Sequence, residues 1–285
     1  NGIGPDGLDP EYWYDMHRYL EELSEEDRIR SRQSKTAFDK DWTAEITYAH
    51  RVSNKALSYL DAHKDEDFFL SVSYDEPHGP CICPPPFNTM YDGFAFEDNP
   101  GFHDTLEDKP LLQKLWSGDD LHKDPAELHK SSAMLSLFLG CNSFVDQEIG
   151  RVLDRIKEIA PEALVFFTSD HGDMLGSHRL QGKNASFYNE IANIPLLIKP
   201  GKDHADARGV VVDYCASHID ITPTILDYFG LPIPKLLEGK SMLPQIQDPT
   251  FKIQEHVFCE FTRYEVDHDG FGGLQMMRSV TDGRW

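Results

Sequence analysis

A chain of 285 residues exceeds the roughly 100–200 residues of one small domain, which predicts one large α/β domain or a domain with an appendage. Hydrophobic residues at 40%, charged residues at 27%, 20 Gly and 18 Pro exclude a collagen, a coiled-coil rod and wholesale disorder. The 27 Lys and Arg against 49 Asp and Glu give a formal charge of −22 with no dense basic cluster, which excludes a nucleic-acid partner but leaves a small anionic ligand open.

Residues 1–41 are charge-rich with weak helical periodicity around Tyr12 to Leu23, which predicts a charged helical appendage or linker. From Trp42 the spacing of Ile46, Ala49, Val52, Ala56 and Leu60 predicts a helix. Phe68 to Tyr74 then form an apolar, β-branched run of the kind that makes a buried strand. The run ends at Asp75-Glu76-Pro77-His78-Gly79-Pro80, with Pro84, Pro85 and Pro86 soon after, so the chain leaves the sheet as an irregular loop carrying His78. Residues 88–125, rich in Asp, Gly and Pro without a sustained period, read as a long excursion of the kind found over active sites.

Ala126 to Ile159 reads as a helix with Leu135, Leu139, Phe144, Val145, Ile149, Val152 and Ile156 on its apolar face, Pro161 closing it and Gly140 and Asn142 as candidate breaks. Leu164 to Ser169 is a second buried strand, and it runs into the densest polar cluster of the chain, Asp170-His171-Gly172-Asp173. Pro195 to Ile198 and Val210 to Val212 are further predicted strands. Thr222 as cap, Pro223 in the first turn and Gly230 as stop predict a helix over 223–229. Val257 to Phe261 and Met276 to Val280 predict an antiparallel pair.

No run of about 18 apolar residues occurs, so no transmembrane helix and no membrane partner are expected. The opening Asn1 to Asp6 lacks the basic and apolar regions of a signal peptide, and a cytoplasmic location is the expectation over a periplasmic one. Cys81, Cys83, Cys141, Cys215 and Cys259 are odd in number, and Cys81-Ile82-Cys83 has the wrong spacing for a zinc knuckle, so buried structural thiols are expected rather than a disulfide framework or a cysteine metal site.

Asp170 and His171 adjoin at the end of a strand, where a carboxylate and an imidazole can converge on Mn2+, Zn2+ or Ca2+ if the turn splays them. A turn capped by Asp170 with His171 merely exposed is the bland alternative. Gly172, Asp173, Gly176, His178 and Gly182 follow and give this loop backbone freedom and titratable groups, ending at Lys183. Asp173 reads as a turn cap. His178 reads either as a substrate contact or as the partner in a loop-stabilising hydrogen bond. His218 and Asp220, ahead of a predicted helix, read as structural.

Ser169-Asp170-His171-Gly172-Asp173-Met174-Leu175-Gly176-Ser177-His178, then Lys183, Tyr188-Asn189-Glu190 and Ile194 to Ile198, resemble the sulfatase family of the alkaline phosphatase superfamily. The resemblance extends back to Phe144 to Leu153 and to Pro77-His78-Gly79-Pro80, and forward to Ser217 to Leu226, Leu231-Pro232 and Gly239 to Leu243. It implies a three-layer α/β/α sandwich of alkaline-phosphatase-like type with a small C-terminal antiparallel strand pair. Residues 42–250 would be the α/β domain and 251–285 the start of a C-terminal β subdomain.

Carried over residue by residue, the resemblance makes Asp170 and His171 metal ligands for a divalent cation, Ca2+ or Mn2+. Histidine at the second place is similar to the choline-sulfatase and phosphonate monoester hydrolase branch. Lys183, thirteen residues beyond Asp170, resembles the lysine that grips the sulfate near the leaving group. His78 resembles the histidine on the other side of that group, and His178 is a further candidate for substrate contact.

The family's nucleophile is a formylglycine matured within Cys-x-Pro-x-Arg, and Cys83-Pro84-Pro85-Pro86-Phe87 fails that pattern at its second proline and at the arginine. The chain therefore resembles a C-terminal portion, with the formylglycine expected in an upstream segment. The implied activity of the parent is hydrolysis of a small sulfate monoester. The alternatives are phosphonate monoester or phosphodiester hydrolysis, or a non-catalytic binding module. The fragment alone is expected to be inactive, and His78, Asp170, His171 and Lys183 are expected to line one cleft.

Overall fold

The computed structural model of the chain describes residues 43–79, 81, 83–94, 99–124, 133–183, 186–201, 209–262 and 276–284. The appendage expected over residues 1–41 lies outside them. In chain order the helices are α1 (Tyr48–Ala62), α2 (Leu111–Ser117), α3 (Ala133–Ile159), α4 (Asn189–Ala192), α5 (Ile221–Tyr228) and α6 (Leu243–Gln247). The strands are β1 (Val165–Thr168), β2 (Leu196–Lys199), β3 (Val257–Thr262) and β4 (Met276–Thr281). The chain divides into two compact units, one formed by Asn1–Asp104 with His122–Pro161 and the other by Thr105–Leu121 with Glu162–Trp285.

The first unit is built on α1 and α3. Helix α1 starts later than the apolar spacing from Trp42 predicts, because Thr47 caps it: its extended backbone breaks the preceding turn and its hydroxyl accepts from the His50 amide. Ala49, Ser53, Ala56 and Leu60 are its buried stripe. Helix α3 runs for 27 residues without the break that Gly140 and Asn142 suggest. Gly140 lets the helix approach a loop, since a Cβ there would lie 2.2 Å from the Phe87 carbonyl oxygen. Asn142 folds back to donate to the Phe138 carbonyl at 2.9 Å. Cys81, Cys83, Leu137, Cys141, Phe144 and Val145 form one core cluster with Ala49, while Ala56, Leu60 and Val152 form another.

The run Phe68 to Tyr74 corrects its prediction in part. Burial alternates with the period of a strand, Phe68, Leu70, Val72 and Tyr74 lying inward and Phe69 72% exposed. No ladder partner is present among the described residues, so the segment carries the face of a strand without its hydrogen bonds. A period of two fixes which side chains are buried, but the neighbour that completes a ladder is a long-range contact.

In the second unit β1 and β2 pair antiparallel, Val165 opposite Lys199 and Thr168 opposite Leu196. β3 and β4 form the expected hairpin-like pair, Val257 opposite Thr281 and Thr262 opposite Met276. The strand expected at Val210 to Val212 is not formed, and Val211 is 79% exposed. Helix α5 begins at Ile221 rather than after Thr222, because Ser217 and Asp220 make a capping box on the turn ahead of it. Gly230, with φ of 65°, ends it as predicted. Asp220 is wholly buried and accepts from the amides of Ser217 and Lys240 and from the Gln254 side chain, at 2.7–2.8 Å.

Candidate functional site

β1 delivers Thr168, and the chain then turns sharply. Ser169 donates its hydroxyl proton to the His171 carbonyl at 2.8 Å, and the His171 amide donates to Asp170 Oδ1 at 2.9 Å. These bonds hold the turn that carries the two side chains. His171 Nδ1 lies 2.8 Å from the Gly172 carbonyl, a contact that fixes the orientation of the ring. Nε2 lies 3.4 Å from Asp170 Oδ2. Two ligands at right angles on a cation with bonds of about 2.3–2.6 Å stand about 3.3–3.7 Å apart, so this oxygen and nitrogen fit adjacent places on one divalent ion. Asp170 is 83% exposed and open to such an ion.

Asp170 and His171 alone would not fill the shell of such an ion. Among the described residues no group of three or more His, Cys, Asp and Glu side chains gathers to hold a metal. Hard cations of this type take about six donors.

Beyond the pair, residues 172–183 form a closed loop. The Met174 amide donates to the Gly182 carbonyl at 3.0 Å, which returns the chain to the start of the loop just ahead of Lys183. Asp173 caps the turn, accepting from the Leu175 amide at 2.9 Å. Met174 and Leu180 are buried with Leu106, and Trp116, Leu121, Tyr188 and Ile191 pack around them. Gly172 has to be glycine: a Cβ there would lie 2.0 Å from the Glu190 carbonyl oxygen, while its amide donates to the Ile191 carbonyl at 2.9 Å.

The structure thus places Asp170, His171 and Lys183 on one loop of the second unit. His178 belongs to the same loop, but its ring stacks on Tyr188 with centroids 4.3 Å apart, and Nε2 stands 3.7 Å from Glu190 Oε1. His218 closes the base of the loop, Nε2 lying 3.1 Å from the Thr168 hydroxyl.

His78 lies in the first unit. Its amide donates to the Asp75 carbonyl at 2.9 Å, which makes the turn. Its Nδ1 lies 2.9 Å from the Gly79 carbonyl, and the residue is exposed.

Cysteine chemistry is absent from this arrangement. Cys83 is 4% exposed and burial pushes its thiol up to about 12, so no thiolate forms at neutral pH. Burial raises the Cys141 thiol further. Ser177, Tyr188 and Glu190 stand among the residues that carry the resemblance, but the sequence gave no sign that the Ser177 and Glu190 side chains meet, because that contact forms only when the loop is folded against the short helix.

Among the described residues, the strand β1 ends in a carboxylate–imidazole pair. Residues 10–231 match the family model described as Sulfatase, and the chain belongs to the sulfatase family. It is 36% identical to the uncharacterized sulfatase YidJ of Escherichia coli strain K12, over 99% of this chain and 56% of that protein. It is 27% identical to the choline-sulfatase of Rhizobium meliloti, over 68% of this chain and 39% of that protein. The solved structure of phosphonate monoester hydrolase SpPMH from Silicibacter pomeroyi superposes with a TM-score of 0.72, at 23% identity, over 93% of this chain and 57% of that one. The fold is shared with that protein. The chain spans about half the length of the relatives it matches.

Proposed function

We propose that this chain supplies part of the metal and leaving-group site of a sulfuric ester hydrolase acting on a small sulfate monoester. The observation that supports the reading is the His171 imidazole, whose Nδ1 stands 2.8 Å from the Gly172 carbonyl while its Nε2 stands 3.4 Å from Asp170 Oδ2. Asp170 and His171 would hold a divalent cation. A nitrogen donor beside a carboxylate suits Mn2+ better than Ca2+. When bound, such an ion offsets negative charge on the sulfate oxygens.

The residues of this chain act on the departing oxygen. As the S–O bond breaks, the ester oxygen takes the electron pair, and the Lys183 ammonium stabilises the developing alkoxide or phenoxide. The proton that turns it into an alcohol comes from an imidazolium, the role that the resemblance to the family gives to His78. The attacking group is proposed to be a formylglycine hydrate in the part of the relatives' length that this chain does not span. Within the chain, Cys83 is buried, its thiol is pushed up to about 12, and its surroundings lack the arginine of the maturation motif.

His171 at the second ligand place favours a second reading, hydrolysis of phosphonate monoesters or phosphodiesters. Tetrahedral sulfuryl and phosphoryl groups place similar demands on a metal and two cations and differ in charge. Paired assays of the complete protein with para-nitrophenyl sulfate and para-nitrophenyl phenylphosphonate, stripped of metal and reloaded with Mn2+ or Ca2+, decide between them. The expected result is metal-dependent sulfate release, lost in Asp170→Asn and strongly reduced in Lys183→Ala. No turnover of either ester by the metal-loaded protein would establish a non-catalytic binding module instead.

A further inference from the structure

The loop between His171 and Lys183 is strained. Leu175, His178 and Arg179 all have positive φ, at 45°, 53° and 60°, in addition to Gly176 and Gly182. Left-handed backbone is disfavoured at a residue other than glycine, and it persists only where the surroundings dictate it. The surroundings here are specific. The Ser177 hydroxyl, in a side chain 1% exposed, donates to Glu190 Oε1. The same carboxylate oxygen stands 3.7 Å from His178 Nε2.

The His178 ring lies flat on Tyr188, interplanar angle 19°, and the Tyr188 hydroxyl in turn donates to Gln113 Oε1 at 2.9 Å. Next to them the buried Arg179 guanidinium donates to the carbonyls of Asp120 and Leu121, both at 3.1 Å. Glu190 therefore meets two consecutive residues of the loop with one oxygen, and its backbone carbonyl leaves room for no side chain at position 172.

We propose that Ser177, His178 and Glu190 form a clasp whose task is to position Lys183. The inference rests on the assignment of Lys183 to the leaving group. The clasp holds the far tip of the loop, and the Met174–Gly182 bond transmits that position to the adjoining Lys183. His178 is a positioning residue in this scheme, with its ring committed to Tyr188 rather than to a substrate. A lysine set to meet a charge that exists only late in S–O cleavage has to be in place beforehand, because a misplacement of about 1 Å can cost roughly a hundredfold in rate.

The test compares Lys183→Ala, Ser177→Ala, Glu190→Ala and Glu190→Gln in the complete protein, using aryl sulfates whose phenols range from para-nitrophenol to para-methoxyphenol. A lysine that stabilises the leaving oxygen matters most for the poorest leaving group, so Lys183→Ala is expected to lose about a hundredfold or more on para-methoxyphenyl sulfate and much less on para-nitrophenyl sulfate. Ser177→Ala and Glu190→Ala are expected to steepen the leaving-group dependence in the same sense by smaller factors. Glu190→Gln, which keeps an oxygen to accept from Ser177, is expected to restore most of it. Melting curves accompany each variant, and Ser177→Ala, which removes only a hydroxyl, covers the case in which Glu190→Ala does not fold.

Steepening in Lys183→Ala with an equal loss across all esters, or no loss, in the Ser177 and Glu190 variants overturns the clasp alone. A flat response in Lys183→Ala itself removes Lys183 from the leaving group, and the clasp's role falls with it.

Discussion

Glu76 accepts the amide proton of Ala49 through Oε1 at 2.9 Å, while its Oε2 is buried with no hydrogen-bond partner among the described residues. The carboxyl thus ties the segment that carries His78 to the first turn of α1, at the expense of an oxygen taken out of water and left unpaired. Burial is the main reason its pKa rises from 4.5 to about 7, against the lowering effect of the Ala49 bond.

The sign of the consequence follows from where the proton prefers to be. Between about 4.5 and about 7 the folded protein holds a proton that the unfolded chain has released, so stability falls as pH rises through that window and levels off above it. The full span is at most about 3 kcal/mol. Urea unfolding of the wild type at pH 5 and pH 8 is expected to show the lower midpoint at pH 8, and Glu76→Gln to remove most of the difference. An unchanged difference in Glu76→Gln would place the titration elsewhere.

Helix α3 contains a matched pair of glycines. At Gly150 an added Cβ meets nothing within 4 Å, so Gly150→Ala is expected to stabilise by about 0.5–1 kcal/mol through helix propensity. At Gly140 the same methyl would stand 2.2 Å from the Phe87 carbonyl oxygen, and the repacking of about 1–3 kcal/mol outweighs the propensity gain. Denaturant midpoints of the two variants are expected to move in opposite directions. A stabilising Gly140→Ala would show that the loop around Phe87 yields freely.

Asp220 accepts three hydrogen bonds while wholly buried, from Ser217, Lys240 and Gln254. Asp220→Ala strands those donors, and each unsatisfied buried group costs about 1–3 kcal/mol, so a loss on the order of 3 kcal/mol or more is expected. Asp220→Asn turns an amide nitrogen toward donors and is expected to recover little. A change within about 0.5 kcal/mol, as at an ordinary surface position, would contradict the network.

What the sequence made legible, and what it did not, divides along the distance over which each feature is decided. Phe68 to Tyr74 advertised which side chains turn inward, because a period of two is local, but not that its ladder lacks a neighbour among the described residues. Gly140 looked like a break because propensity sees only the helix, whereas the carbonyl of Phe87, far off in sequence, decides its use. Asp170, His171 and Lys183 were singled out through resemblance to a known family, and their roles belong to the proposed function. The carbonyl partner of the His171 ring and the Ser177–Glu190 contact were not legible, since a ring nitrogen's partner and a side chain 13 residues away depend on how the loop closes.

The last prediction concerns residues 1–285 taken by themselves. Asp170 and His171 offer two donors, and no third acidic, cysteine or histidine side chain joins them among the described residues, whereas a hard cation takes about six. Waters complete such a shell poorly in affinity, so calorimetric titration of the isolated chain with MnCl2 is expected to show no tight site. Leaving-group cations also act only on an attack already launched, and the one cysteine in a motif-like setting, Cys83, is buried with its thiol pushed up to about 12. The isolated chain is accordingly expected to hydrolyse para-nitrophenyl sulfate no faster than buffer. Turnover that scales with its concentration and disappears in Lys183→Ala would mean that a nucleophile lies within these 285 residues after all.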